Sequence, residues 1–327
     1  MNRFRALLAG GGPIVADGGM GTMLMAAGLV FGDPPEEWNL RETHAGRVRA
    51  IHRGYYAAGA QLVLTNSFGG SPFRLKLHRL DDRVFAVNRA AAELARAEAG
   101  PDRVVAGSIG PSGELFVPLG ELDDAAAIAG FREQAAGLAA GGADVLWIET
   151  MSDLQEVRAA VTGARQAAPE LPIVATMTFD TRGHTMMGVS PGQALAALAE
   201  LGLAAVGANC GNGTDEIETV IDAMHRADAA IPLIAKSNAG MPELVDGQAV
   251  YRGTPAVMAE YAQRVRALGA TIIGACCGST PDHIAAIATA LRHAPPLERD
   301  QVRQTLGAAA TRGAATRGRR ARRDGAE

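Results

Sequence analysis

A single (β/α)8 barrel of the TIM type is the α/β fold this sequence predicts. Three observations predict it. Short apolar runs bounded by glycine or polar residues occur eight times, at 14–17, 61–66, 104–110, 144–150, 173–179, 204–210, 233–238 and 271–277. They are continuous rather than alternating, the pattern of strands buried on both faces. Alanine-rich amphipathic segments with helical periodicity lie between them. Nearly every run also ends on a polar residue, as barrel strands do at the end that carries the chemistry. A doubly wound sheet is the competing arrangement, but it would spread those polar ends along a line instead of converging them.

Taken in order, the first run ends at Asp17 and the second at Thr65 and Asn66, with a helix expected over 44–58 between them. A helix over 84–99 leads to the third run and Ser108. Helices over 125–140 and 154–168 flank the fourth run, which carries Glu149. The fifth run carries Thr178 and Asp180 at its end. Ser190-Pro191 then starts a helix over 191–201, with proline in the first turn where its missing N–H costs nothing. The sixth run ends in Asn209-Cys210 and the seventh carries Lys236 and Asn238, with a helix over 216–227 between them. Thr254-Pro255 starts the helix over 254–268, and the eighth run ends in Cys276-Cys277 before a last helix over 281–292. The barrel is therefore assigned to residues 1–294. Residues 295–327 follow Ala294-Pro295-Pro296, are rich in alanine, glycine and arginine, and are expected to be a solvated, disordered tail.

A chain of 327 residues with 48% hydrophobic content suits one barrel. A net charge of −4 provides no field that draws nucleic acid or an anionic membrane. No apolar run is long enough to span a bilayer, and the apolar stretch 6–9 is too short for a signal peptide. Three cysteines, two of them adjacent, make no disulfide framework. A reduced, cytoplasmic protein is expected; the oligomeric state is left open.

The cysteines carry the strongest chemical signal. Cys210 lies in Gly207-Ala208-Asn209-Cys210-Gly211, and Cys276 and Cys277 lie in Gly274-Ala275-Cys276-Cys277-Gly278. Both frames put thiols where a strand gives way to a loop. Three thiolates brought together suit Zn2+, and three protein ligands leave a fourth position for a substrate. Neighbours on a strand point to opposite sides, so Cys276 and Cys277 share an ion only if the chain leaves strand geometry there, which Gly278 permits. Singly, each cysteine would read as a small buried residue.

These two frames, with Asp17-Gly18-Gly19-Met20-Gly21-Thr22, Leu64-Thr65-Asn66-Ser67-Phe68-Gly69 and Trp147-Ile148-Glu149-Thr150-Met151-Ser152, resemble the homocysteine S-methyltransferase family from about Asp17 to Ile287. The resemblance implies a zinc barrel that methylates the thiol of homocysteine to give methionine. It implies Cys210, Cys276 and Cys277 as metal ligands, and Asp17 and Glu149 as partners of the substrate ammonium. The backbone of the Asp17-Gly18-Gly19 turn is placed near the substrate carboxylate, and Asn209 orients the site. Elementary chemistry agrees: a free thiol titrates near about 8.5 and is mostly protonated at neutral pH, whereas a metal-bound thiol is deprotonated.

A barrel ending near Arg292 leaves no segment for folate or cobalamin domains, so a small donor, or one carried by a separate corrinoid protein, is expected. Betaine is the favoured donor, with S-methylmethionine and dimethylsulfonium compounds as alternatives. Quaternary ammonium ions sit on aromatic faces, and Trp38 and Phe68 are the residues expected to hold the donor. The chain departs from the animal betaine enzymes where Gly69 follows Phe68 and Thr150 follows Glu149, positions at which those enzymes carry tyrosines. A rival of another class is a Schiff-base aldolase or lyase using Lys236, one of only two lysines in the chain.

Overall fold

The computed structural model describes residues 2–306, apart from 229, 242, 246 and 247. Eight parallel strands form a nearly closed barrel: β1 Ile14–Val15, β2 Leu62–Leu64, β3 Val104–Ile109, β4 Val145–Met151, β5 Ile173–Met177, β6 Ala205–Cys210, β7 Leu233–Ser237 and β8 Ala270–Ala275. They neighbour one another in chain order, and β1 also pairs with β8. The remaining seam, between β1 and β2, is joined by a bridge from Ala16 to Leu62 and by the Gln61 N–H donating to the Val15 carbonyl at 2.8 Å. This circular order excludes the doubly wound sheet.

Eight helices cover the barrel: Glu42–Ala57, Val84–Ala99, Asp124–Ala140, Leu154–Ala167, Pro191–Ala199, Thr214–Ala227, Pro255–Leu268 and Pro281–His293. Their starts follow the expected capping chemistry. The Ser190 hydroxyl accepts from the Gln193 N–H, and the Thr254 hydroxyl from that of Val257, each with proline in the first turn. Strand side chains divide between two cores. One faces the helices, and the other fills the barrel with Ile14, Leu62, Val104, Val145, Trp147, Val174, Ile234 and Ile272.

The structure adds elements that hydrophobic periodicity did not show. A short helix, Arg3–Ala9, precedes β1 and inserts Phe4, fully buried, into the barrel interior. Asn2 and Arg3 hold it by donating to the Asp144 carbonyl and carboxylate at 2.8 and 2.9 Å. Glu243–Val245 and Gln248–Val250 pair as an antiparallel hairpin in the loop after β7. Residues 299–306, placed in the tail on sequence grounds, are helical. Val302 is buried, Arg299 donates to the Ala267 carbonyl and Arg303 pairs with Asp222 at 2.7 Å, so the packed chain extends beyond 294. The rest of the expected tail, 307–327, lies outside the described residues.

Phe4 plugs the end of the barrel away from the polar strand ends. Phe4→Ala is expected to cost about 3–5 kcal/mol, the usual range for truncating a buried phenylalanine. Urea denaturation of the two proteins measures it, and a change below about 1 kcal/mol would show that the plug is dispensable.

Candidate functional site

The polar strand ends converge on a cavity of about 220 Å³ at the C-terminal mouth of the barrel. Asp17, Gly18, Asn66, Phe68, Glu149, Lys236 and all three cysteines line it. Cys210 is the last residue of β6 and takes a left-handed conformation, φ +62°. Cys276 and Cys277 lie just past the end of β8, so the chain has left strand geometry where they occur, and Gly278 follows at φ +78°. The three sulfurs lie within 4.8 Å of one another, and those of Cys210 and Cys276 are 3.0 Å apart.

Neighbouring groups fix these loops. The Cys276 N–H donates to the Ser237 carbonyl at 2.7 Å. The Asn238 side chain accepts from the Cys277 N–H at 3.0 Å and donates to the Gly211 carbonyl at 2.8 Å, which ties one cysteine loop to the other. Asn209 accepts from the Thr150 N–H at 2.9 Å and the Thr176 hydroxyl at 2.6 Å. Its amide donates to the Thr150 hydroxyl at 2.7 Å and points toward the Cys210 sulfur at 3.5 Å. Thr150 itself is left-handed at φ +62°, an unusual state for a β-branched residue.

Hydrogen bonds from Cys210, then from Cys276, pull the Cys277 thiol below its ordinary range, while hydrogen bonds with Cys276, then with Cys277, push Cys210 up. Tyr251, which the sequence did not single out, stands against Gly278, and its hydroxyl adds to the stabilisation of Cys277. Tetrahedral zinc thiolates have Zn–S bonds near 2.3 Å and hence S···S separations of about 3.8 Å. The three sulfurs, within 4.8 Å of one another, bracket that spacing, and soft thiolate donors are the type that zinc takes.

In the same cavity, Asp17 and Lys236 form a buried ion pair at 2.6 Å. The second Asp17 oxygen accepts from the Leu64 N–H at 2.7 Å. Glu149 accepts from the Ser108 hydroxyl at 2.5 Å. Burial raises its carboxyl pKa to about 7, against the pull of Lys236. For Lys236 burial works against the charge, but Asp17 and Glu149 outweigh it and raise its pKa. A Schiff-base nucleophile must be neutral, so the ion pair argues against the aldolase reading. The cation that two neighbouring carboxylates require comes from inside the chain.

Gly18 gives the turn its closeness, because a Cβ there would lie 2.4 Å from the Ser279 hydroxyl. The Gly19 N–H already donates to that hydroxyl at 3.0 Å.

The structure places the two aromatic residues expected to hold the donor differently. Phe68 lines the cavity and is 40% exposed. Trp38 does not line it. Its ring is buried, stacked on His44 with centroids 4.4 Å apart, and lies 5.5 Å from the Arg47 guanidinium. Trp38 sits in the turn Pro35–Asn39, and that turn presents Pro35 and Glu36 to the cavity instead. Tyr55 and Tyr56 belong to the helix core, and Phe73 packs edge-on against Phe131. Glu36 was missed because two adjacent glutamates in a polar loop read as solvated, and no periodicity in so short a turn tells which faces inward.

The family model described as homocysteine S-methyltransferase matches residues 14–291. A protein named methionine synthase from Mycobacterium tuberculosis is 36% identical over 301 residues, 88% of this chain. Its Mycobacterium leprae counterpart is 36% identical over 293 residues. The chain spans about a quarter of the length of these curated relatives, 25% and 24%. Among solved structures, the metallated form of the homocysteine methyltransferase MmuM from Escherichia coli superposes with a TM-score of 0.73 at 27% identity, covering 88% of this chain and 99% of that one. A methyltransferase from Methanosarcina mazei, at 12% identity and a TM-score of 0.53, shares the fold.

Cys210→Ala removes one of three sulfurs from a preformed strand end and leaves the barrel core untouched. Its zinc affinity is expected to fall by more than about a hundredfold with an unchanged far-UV circular dichroism spectrum. Competition against a chromophoric chelator measures the first. Undiminished affinity would remove Cys210 from the ligand set.

Proposed function

The chain belongs to the homocysteine S-methyltransferase family, a family of methyltransferases, and from that premise we propose that it transfers a methyl group from a small onium donor to the thiol of homocysteine, giving methionine. One observation carries the reading: a single cavity is lined both by three convergent thiols and by the charged group of Asp17, Lys236 and Glu149. A short zwitterion that bears a thiol matches that combination.

The residues then take distinct parts. Cys210, Cys276 and Cys277 would hold zinc, which when bound supplies the Lewis acidity that ionises an incoming thiol at neutral pH. Asn209 and Asn238 orient the cysteine loops by the hydrogen bonds given above. Glu149, with only one oxygen engaged by Ser108, receives the substrate ammonium. Asp17 closes the same pocket through Lys236 and Leu64, and the Gly18 turn forms its floor beside the substrate carboxylate. With sulfur and amino-acid end both fixed, the thiolate is aimed at an incoming methyl group, and such positioning supplies several kcal/mol of the barrier, roughly 7–11 at best. The free thiols suit a reducing compartment such as the cytoplasm. Among the described residues no helix is long and apolar enough to cross a membrane.

Betaine remains a donor to test, although Trp38 does not reach the cavity. The match to part of the much longer methionine synthases supports a second reading, in which a separate corrinoid protein delivers the methyl group. A donor screen decides. Zinc-loaded protein with homocysteine is expected to form methionine from at least one of betaine, dimethylsulfoniopropionate and S-methylmethionine. Turnover only with a methylated corrinoid protein would favour the second reading, and no turnover with any of these would overturn both.

The Glu149 role has a pH signature. Its carboxyl, with a pKa raised to about 7 by burial, is protonated below that pH and ionised above it. An ammonium ligand binds the ionised form. Affinity for L-methionine, whose thioether does not titrate, should therefore rise as pH increases through about 7 and then level. Isothermal titration across pH 6–8, at roughly unit steps around that midpoint, should show the rise in the native protein and a flat, weaker profile in Glu149→Gln. An identical profile in the variant would remove Glu149 from the ammonium site.

A further inference from the structure

Glu36 is a buried carboxylate that lines the cavity, and among the described residues it forms no ion pair. One oxygen accepts from the Gly69 N–H at 2.6 Å. Burial raises its pKa, against hydrogen bonds from its own backbone N–H and that of Gly69 and the weaker fields of Arg74 and His78. An isolated carboxylate out of water is costly unless a cation joins it. The carboxylate is also held in place. The Asn66 amide donates to the Pro35 carbonyl at 2.8 Å and to the Asn39 side chain at 3.0 Å, and the Asn39 amide returns a bond to the Asn66 carbonyl at 2.7 Å. The turn bearing Glu36 is thereby pinned to the loop bearing Phe68 and Gly69.

Gly69 makes room for it. A Cβ at that position would lie 2.9 Å from the Glu36 oxygen and 3.3 Å from its carboxyl carbon, so any side chain there would displace the carboxylate. The Phe68 ring lines the same cavity, whereas Trp38 is turned away onto His44.

We propose that Glu36 is the donor-recognising residue of this site, and that it selects a small, permanently cationic methyl donor, a quaternary ammonium or tertiary sulfonium compound, by pairing with its charged head beside the Phe68 ring. The proposal rests on the methyltransferase reading above and names the charge of the donor and the group that reads it. In the reaction the bond from the methyl carbon to the homocysteine sulfur forms as the bond from that carbon to the onium nitrogen or sulfur breaks. The electron pair of the broken bond stays on the donor heteroatom, which becomes neutral. Glu36 therefore favours the charged reactant over the neutral product, so it strengthens donor binding and aids release of the spent donor without stabilising the transition state further.

Glu36→Gln tests this, because an amide oxygen still accepts from the Gly69 N–H. Zinc- and homocysteine-loaded protein is titrated with betaine and dimethylsulfoniopropionate, and with their uncharged-head isosteres 3,3-dimethylbutyrate and 4-methylpentanoate. The native protein is expected to prefer at least one onium compound over its isostere by about tenfold or more, and Glu36→Gln to reduce that preference to within about twofold. In turnover the variant should raise the donor KM by a similar factor, leave the homocysteine KM unchanged and keep or increase kcat. Equal affinity for onium compounds and isosteres in the native protein, or a preference that survives in Glu36→Gln, overturns the proposal. Onium preference lost in the variant, but with no methionine formed by the native protein, would instead refute the methyltransferase reading and leave Glu36 as an onium-binding residue.

Discussion

The site depends on strand β7 holding two cysteine loops at one point. Cys210 and Cys276 are 66 residues apart in sequence, yet their sulfurs are 3.0 Å apart. They come from β6 and β8, the two neighbours of β7 in the barrel. Ser237, at the end of β7, accepts from the Cys276 backbone, and Asn238 bonds to both loops. Parallel strands in sequential order bring their C-terminal ends together by topology alone, so the barrel supplies the proximity and the Ser237-Asn238 pair supplies the alignment. Three clustered thiols are electrostatically unfavourable to ionise together without a cation among them.

The carboxylates of the cavity follow a different electrostatic logic. Asp17 and Glu149 would repel each other if both were ionised, and buried Lys236 pairs with Asp17 and is attracted by Glu149. Such a buried pair gives little net stability, because desolvation offsets much of the attraction. Its value lies in specificity: with Asp17 already satisfied by Lys236 and Leu64, the carboxylate left with an unengaged oxygen is Glu149. Burial raises its pKa to about 7 against the pull of Lys236. Glu36 is a second buried carboxylate lining the same cavity, bonded to the Gly69 N–H.

Much of this was legible in the sequence, for physical reasons that differ by element. Strands buried on both faces are written as unbroken apolar runs, so the eight barrel strands could be read to within one or two residues of most ends. The cysteines were legible because all three occur in matched glycine-flanked frames at strand ends. The inward direction of a side chain in a short irregular turn was not legible. Trp38 and Glu36 are two residues apart in one 3₁₀ turn, and which faces the cavity is decided by the stacking of Trp38 on His44 and by the space over Gly69. Neither leaves a periodic trace. The helix of residues 299–306 escaped notice similarly, since a single buried valine and two arginine contacts hold it.

Two residues on the cavity wall are left-handed without being glycine, Thr150 and Cys210. Such conformations cost on the order of 1–3 kcal/mol each and persist only where surrounding contacts over-determine them. Asn209 links both. Its side chain accepts from the Thr150 N–H and donates to the Thr150 hydroxyl, and it directly precedes Cys210 on β6. Because β4 and β6 are both fixed in the barrel, the strain cannot relax by moving either strand. It is confined to the two residues that turn Thr150 into the cavity and aim the Cys210 sulfur at its partners. The rigid barrel and the strained rim are thus one arrangement: the apolar runs that made the fold readable hold the exceptional backbone at which the chemistry is placed.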